Sequence, residues 1–399
     1  MQVLVLNSGS SSIKFKLFKM PEETKLCAGL IERIGHRDAK FTFSTQKETL
    51  QLTRDIPNHK VGLEILAKKL LHKDSGIINS TDDINIVGHR VVHGGKLFRD
   101  TTEITQAVKD KIKSLSTLAP LHNPPNLEGI EVAETIFKKA KQVAVFDTAF
   151  HQSIPDYANK YAIPIDFSEK HSIRVYGFHG ISHEYVSEKA IQYLGKKHSK
   201  IISLHLGNGC SITALKDGKS MDNSQGFSPI NGLIMGTRSG DVDPSIIFHL
   251  AEKYDYSIDE ISTLLQKKSG MFGLTGYNDL RDIKAEAKKG NKACQLALEM
   301  NIYRIKKYIG AYAAVLNGLD AIVFTAGIGE NSSYMRQHIC EDMDFLGISL
   351  DEEKNNFDSN TGIKAIHSDT AKVKLLVIPT NEELEIAKQA CDLLANNLN

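Results

Sequence analysis

Short runs of β-branched and aliphatic residues interrupt a mostly polar chain: Val3–Leu6, Ile84–Val87, Val143–Phe146, Ile201–Leu206, Ala321–Thr325 and Val373–Ile378. Their length and composition read as buried strands. Between them the period changes. Asn126–Lys139 follows Pro124-Pro125 and carries Leu127, Ile130, Ala133 and Phe137 at three- and four-residue steps, which gives one apolar face on a helix. Val61–His72, Ser245–Tyr254 and Leu296–Leu316 follow the same rule. Strands alternating with helices predict an α/β layered fold.

One pattern occurs twice. Residues 3–18 read VLVLNSGSSSIKFKLF and residues 202–217 read ISLHLGNGCSITALKD. Each is a strand, a Gly/Ser turn and a second strand, with Ser12-Ile13 and Ser211-Ile212 at equivalent places. Glycine lets a turn adopt positive φ and lets backbone N–H groups approach a phosphate. Two such hairpins, one in each half, predict two jaws around a nucleotide. The competing reading is two ordinary hairpins, since Gly and Ser are common in turns.

Composition narrows the class. A length of 399 residues suggests two or three domains, and 41% apolar with 24% charged residues is ordinary for a globular protein. A net charge of +1 gives no reason to expect nucleic acid or an anionic membrane as partner. No apolar run approaches the roughly 20 residues needed to cross a bilayer. The opening MQVLVLNSGSS has no basic leader and reads as the first strand. The five cysteines (Cys27, Cys210, Cys294, Cys340 and Cys391) are odd in number, scattered and without a CxxC pair. That argues against a disulfide framework or a zinc site and favours a reducing cytoplasm.

More specific strings lie along the chain in this order: NSGSSSIK (7–14), GHRVVHGG (88–95), APLHNPPN (119–126), FDTAFHQSIP (146–155), YGFHGISH (176–183), HLGNGCS (205–211), GFSPINGLIMGTRSGDVDP (226–244), GIGEN (327–331) and TNEELEIA (380–387). Together, and across essentially the whole chain, they resemble the acetate kinase family of the acetate and sugar kinase/actin-like superfamily. The resemblance implies two duplicated actin-like (ribonuclease H-like) α/β domains with ATP in the cleft between them. One would span 1–150, joined by a C-terminal helix at about 382–399, and a nucleotide-binding domain would span 151–381. It also implies a homodimer, Mg²⁺ (Mn²⁺ possible), and reversible direct in-line transfer of the γ-phosphoryl group of ATP to acetate. Rival readings are a propionate or butyrate kinase of the same superfamily, and an actin-like protein that uses ATP as a conformational switch.

Such a reaction brings two anions together, so positive groups are the first candidates. Arg90 and Arg238 can each present a planar fork to carboxylate or phosphate. On residue type alone Arg238 could instead pair with Asp241 or Asp243. The resemblance makes both arginines carboxylate ligands and gives Arg238 a second role on the transition state. His179, flanked by Gly177 and Gly180, can donate to a phosphoryl oxygen, the role the resemblance assigns it. His122 is expected to support substrate placement, and His205 to touch the γ-phosphate. Asp147 follows the strand QVAVF, where the ligand crevice of an α/β sheet usually lies; an N-cap or turn acid is the alternative. The resemblance makes it catalytic. Acetate has no proton to remove, so an orienting role towards Arg90 or Arg238, or a metal-bound water, is expected rather than a base.

Asn7 and an acid of the TNEE stretch are the family's metal positions. If Thr380 caps the last helix, Glu383 completes a capping box at N3 and Glu382 is left for the metal. Lys14 is expected at a phosphate, with a solvent-facing strand lysine as its alternative. Leu206, Gly207, Asn208 and Gly209 supply the second turn. Gly327, Ile328, Gly329, Glu330 and Asn331 suit a loop beneath the nucleotide, and Asp279, Leu280 and Arg281 resemble the family's adenosine-side element. Val92, Leu121, Phe178 and Pro229 match the pocket for the alkyl end of the substrate. Val175, Ile181, Asn223 and Gln225 depart from the family's usual residues, and the 275–282 segment is one residue short.

Overall fold

The computed structural model describes residues 1–71, 76–357 and 362–396. His72, the last residue of one expected helix, and 397–399 of another lie outside the described residues. The chain forms two compact units. The first is Met1–Phe150 together with the chain from Asn381 onward, and the second is His151–Thr380.

The first unit is built on a sheet of β1 (Gln2–Ser8), β2 (Ser12–Lys19), β3 (Thr24–Glu32), β4 (Ala39–Ser44), β5 (Thr49–Arg54), β6 (Ile86–Val91), β7 (Thr102–Glu103) and β8 (Lys141–Phe146), in the spatial order β5-β4-β3-β2-β1-β6-β8-β7. Strands β1 to β5 form an antiparallel meander. β1 then pairs in parallel with β6, β6 pairs in parallel with β8, and β7 closes the edge antiparallel.

The second unit repeats the plan with β9 (Lys200–Leu206), β10 (Cys210–Lys216), β11 (Lys219–Asn223), β12 (Ala321–Thr325), β13 (Lys364–Ala365) and β14 (Lys374–Val377), ordered β11-β10-β9-β12-β14-β13. Again a meander leads, its first strand pairs in parallel with the next strand of the sheet, and a short antiparallel strand closes the edge. An antiparallel meander, of five strands in the first unit and three in the second, followed by two parallel strands is the duplicated actin-like (ribonuclease H-like) fold. The repeated sequence pattern corresponds to the hairpins β1-β2 and β9-β10.

Apolar continuity explains the central strands. Val3 to Leu6 and Ile201 to Leu206 are buried throughout, as a sheet covered on both faces requires. In the first unit Phe15, Phe41 and Phe43 stack across β2 and β4 and share a core with Leu63, Leu66 and Leu70 of helix His59–Leu70. Each fully buried ring of this kind contributes about 1.5–3 kcal/mol. In the second unit helix Lys292–Leu316 lays Leu298, Ile305, Ile309 and Tyr312 into the core with Ile212, Ile322 and Phe324.

Three expectations need correction. The strand expected at Ile84–Val87 runs instead from Ile86 to Val91. Ile84 closes a single 3₁₀ turn (Thr81–Asp83) held by a Ser80/Asp83 capping box. The strand continues through Gly88-His89-Arg90 because these positions are satisfied inside the sheet. His89 Nε2 and Gln142 Oε1 lie 2.8 Å apart, and a Cβ on Gly88 would stand 2.8 Å from Ile386 of the C-terminal helix.

The expected loop at Gly327–Asn331 is a helical turn, Ala326–Asn331, entered directly from β12. Gly329 has no side chain to hold it off the strand, so the turn presses to within 3.3 Å of Phe324 backbone as measured from a Cβ built there. Finally, the last helix begins at Glu382. Asn381 therefore precedes it, and Thr380 is not its cap. Among the described residues no helix is long and apolar enough to cross a membrane.

Candidate functional site

The first unit carries an arginine–carboxylate group at the C-terminal ends of its parallel strands. Arg90 on β6 is paired in register with Val145 of β8, and Asp147 follows β8 directly. The backbone N–H of Asp147 donates to Val91 O at 2.9 Å, which fixes where the chain leaves the sheet. Arg90 Nη2 donates to Asp147 Oδ2 at 2.8 Å, with the acid 1% exposed. Arg90 Nε lies 3.8 Å from Glu382 Oε2 and makes no hydrogen bond. Burial opposes the guanidinium charge, but Asp147 and Glu382 outweigh it and raise the group above its ordinary value. One edge of the fork is thus held by Asp147, and further N–H donors remain for a ligand.

Two adjacent acids of the C-terminal helix differ in their surroundings. Glu383 accepts ion pairs from Lys14 at 2.5 Å and Lys16 at 2.8 Å. Burial works to raise its carboxyl, yet the two ammonium groups hold it down at about 2. Among the described residues Glu382 has no lysine partner, and its ion-pair neighbour is Arg90 at 3.8 Å. Burial pushes it up to about 6, Asp147 and Glu383 add to that, and Arg90 opposes it. Glu382 is therefore set apart by the lysines on Glu383 and not by a capping box. Lys14, expected at a phosphate, is engaged with Glu383 and is half exposed. Asn7 lies opposite Lys14 in the β1-β2 register.

The APLHNPPN segment contributes residues that sequence reasoning passed over. Helix Asn123–Ile136 starts three residues earlier than its apolar stripe, because both prolines sit in the first turn, where a missing N–H costs nothing. This buries two asparagines. Asn126 accepts from Val92 N at 3.0 Å and donates to Ser8 O at 2.6 Å. Asn123 accepts from His93 N at 3.1 Å and donates to His93 O at 3.0 Å. Together they tie the loop after β6 to the end of the first hairpin. Their signal was an asparagine on each side of a Pro-Pro pair, a residue type that bonds nearby backbone. Val92 is buried beside them, Leu121 is 54% exposed, and His122 occupies the N-cap position.

In the second unit the hairpin β9-β10 turns through Gly207-Asn208-Gly209, with Gly207 N donating to Gly209 O at 3.1 Å. His205 stands opposite Ser211 in this register. His179 lies just before helix Gly180–Leu194 with φ +56°, a region that non-glycine residues enter at a cost. That conformation stacks its ring on His205, centroids 4.2 Å apart, and brings Nδ1 to 2.9 Å from Ser211 Oγ.

A Cβ built on Gly209 would stand 3.3 Å from His179 Nε2 and 3.7 Å from Arg238 Nη1, so both groups reach this one turn. Arg238 donates to Pro229 O at 3.1 Å. Among the described residues no carboxylate pairs with it. Asp241 instead accepts from Gly232 N and Tyr308 Oη and lies 3.6 Å from Arg304, and Asp243 accepts from Ser245 N and Oγ. Burial draws the Arg238 guanidinium below its ordinary value, which an approaching anion would reverse. Phe178 is buried, and its carbonyl accepts from His151 or Asn223.

Beside this turn opens a cavity of about 810 Å³ lined by Leu206, Gly207, Asn208, Asp279, Leu280, Arg281, Gly327, Ile328 and Asn331. Lys284 and Lys288, which the sequence reading did not single out, line it as well. Asp279 caps its helix and grips Arg281 through both carboxylate oxygens. Of the other expected nucleotide contacts, His205, Gly209, Gly329 and Glu330 are not among the lining residues. Glu330 turns away to accept from Thr380 N at 3.0 Å.

Comparison with known proteins places this geometry in context. The family model described as the acetokinase family matches residues 2–388. A curated acetate kinase of Flavobacterium johnsoniae is 59% identical over 396 residues, covering 99% of this chain and 100% of that protein. The crystal structure of Porphyromonas gingivalis acetate kinase superposes with a TM-score of 0.93 at 44% identity, over 98% of this chain and 99% of that one. A propionate kinase from Francisella tularensis is similar at a TM-score of 0.92 and 42% identity, with the same coverage.

Proposed function

The chain belongs to the acetokinase family, and from that premise we infer that it catalyses the reversible transfer of a phosphoryl group from ATP to acetate, giving ADP and acetyl phosphate. The observation that supports this most directly is Arg238, a half-buried guanidinium without a carboxylate partner among the described residues, aimed with His179 at a Gly-rich turn. A structural ion pair would have used the neighbouring Asp241 or Asp243. An anion-binding site leaves the fork available.

Phosphoryl transfer asks mainly for alignment and for positive charge where charge accumulates. Arg90 binds the acetate carboxylate, which is already ionised near neutral pH and needs no base. Asp147 holds Arg90 in place. His179 and Arg238 donate to the oxygens of the transferring group. The cavity beside the second hairpin receives the nucleotide. Val92, Leu121, Phe178 and Pro229 contact the methyl end.

Asn7 and Glu382 would hold Mg²⁺. An oxygen donor set in which burial and nearby carboxylates strain the negative charge of Glu382 fits a hard cation. When bound, the ion neutralises charge on the β- and γ-phosphate oxygens.

The active species is a homodimer in the cytoplasm. Free cysteines throughout suit a reducing compartment. Helix Ser245–Tyr254 buries none of its residues and leaves Phe248 63% exposed, which suits a surface that meets a second copy.

The test is to trap acyl phosphate as hydroxamate from ATP with acetate, propionate or butyrate. Acetate should give the highest kcat/KM and propionate a value roughly 10–200-fold lower, the usual worth of one methylene. No hydroxamate from acetate, with ATP still bound, would favour an ATP-dependent conformational switch.

A further inference from the structure

Behind His179 lies a buried chain of hydrogen-bonding groups to which the proposed reaction gives no role. Ser211 Oγ is 2.9 Å from His179 Nδ1 and 2.7 Å from His183 Nε2. His183 Nδ1 is in turn 2.9 Å from Ser203 Oγ. His183 lies in the first turn of helix Gly180–Leu194, and its backbone N–H donates to the carbonyl of His179, the residue just before that helix, at 2.9 Å. Ser203, His183 and Ser211 are all fully buried.

We propose that His183 and Ser211 are positioning residues: they fix which nitrogen of His179 carries its proton, so that a neutral imidazole presents Nε2–H to the Gly209 turn. This rests on the reading of His179 as a donor to the transferring group.

The argument begins from proton counting. A serine hydroxyl has one proton, so Ser211 can donate to only one of its two imidazole neighbours, and the other must donate to it. Burial, with His151 and His205 nearby, keeps His183 uncharged by lowering it well below the ordinary histidine range. His183 therefore donates through only one nitrogen, and with the Ser211 proton on one of its two imidazole neighbours the chain runs in one direction.

If it ran from His179 towards Ser203, His179 Nδ1 would hold the proton. Nε2 would then present a lone pair to phosphoryl oxygens, unless the ring took a second proton beside the Arg238 guanidinium. Both alternatives are unfavourable. Run the other way, Ser203 Oγ–H donates to His183 Nδ1, His183 Nε2–H donates to Ser211 Oγ, and Ser211 Oγ–H donates to His179 Nδ1. His179 is left with its single proton on Nε2, at the atom that approaches the turn. No proton has to be taken up for each turnover.

The first test is ring ¹⁵N NMR on the full-length protein labelled at histidine, with His179 assigned by the signals lost in His179→Asn. At neutral pH, Nε2 should show the shift of a protonated nitrogen and Nδ1 that of an acceptor. A protonated Nδ1, or an averaged pair, overturns the proposal. This readout needs no turnover, so its failure is separate from failure of the hydroxamate assay.

The second test is a double-mutant cycle. Ser211→Ala should lower kcat about tenfold, the worth of one oriented hydrogen bond, and Ser211→Thr should recover most of it. In the His179→Asn background the same Ser211→Ala change should cost nothing further. Equal losses in both backgrounds would show that Ser211 does not act through His179. If Ser211→Ala does not fold, the NMR result on the unaltered protein decides.

Discussion

At the scale of single residues, the pairing of Asp147 with Arg90 separates two roles for a buried carboxylate. A general base must lose and regain a proton, whereas a positioning acid only keeps its charge beside the guanidinium. The 2.8 Å contact, and the absence of a proton on the acceptor substrate, favour the second role. Asp147→Asn keeps the shape and one acceptor oxygen but removes the charge. A hydrogen bond to a charged partner is worth about 1.5–3 kcal/mol, so kcat/KM for acetate should fall by roughly 10–100-fold. The pH profile should keep its form, with no recovery as the pH is raised. Recovery at high pH would identify Asp147 as a base.

At the scale of elements, function depends on how strand ends are held. Asn126 joins Val92 after β6 to Ser8 at the end of β1 through two short bonds inside the unit. Asn126→Ala leaves a buried N–H and a buried carbonyl without partners. The expected loss is about 2–3 kcal/mol in urea unfolding, accompanied by a higher KM for acetate as the loop bearing Val92 relaxes. Unchanged stability would mean that water replaces the side chain.

What the sequence disclosed at this scale has a physical pattern. Strands β1, β8, β9, β12 and β14 were legible because continuous burial on both faces writes them as apolar runs. The duplication was legible because both hairpins need the same turn chemistry. The polar half of β6 was not, since His89 is satisfied by Gln142, 53 positions away, and local spacing does not encode distant partners. The same holds for Asn123, Asn126, His183 and Ser211, whose strings were recognised but whose bonding was hidden. The GIGEN turn was misjudged because glycine marks both a loop and close helix–strand packing. In the TNEE stretch, the lysines of β2, rather than a cap, distinguish the two acids.

At the scale of the whole molecule, two properties follow from what is buried and what is not. Burial holds His89 at about 4, and burial with His122 nearby does the same for His93. An unfolded histidine takes its proton near 6.5. Between those values the unfolded chain binds more protons than the folded one. The stabilising effect is therefore complete above about pH 6.5 and is lost as the pH falls towards 4, with about 2 kcal/mol gone per histidine at pH 5. Urea unfolding at pH 7 and pH 5 should show this slope, and His89→Gln should remove about half of it. An equal slope in the variant would assign the acid sensitivity elsewhere.

The outer surface of the second unit supplies the last prediction. Helices Ser245–Tyr254 and Ile258–Lys267 pack on each other, yet the first buries none of its residues. Phe248, Tyr254 and Ile258 remain 62–68% exposed. An isolated apolar side chain on a surface is ordinary, but three large exposed ones on two helices that pack together suit a surface that association covers. A stable interface removes about 800 Å² per partner, with its apolar anchors near the centre. Phe248→Glu puts a charge there while removing little packing within the chain, since Phe248 is 63% exposed, so the monomer should keep its helix content and its melting behaviour. Light scattering after size exclusion should show twice the chain mass for the unaltered protein and a single chain for the variant. A dimer that persists in Phe248→Glu combined with Ile258→Glu would place the contact on another face.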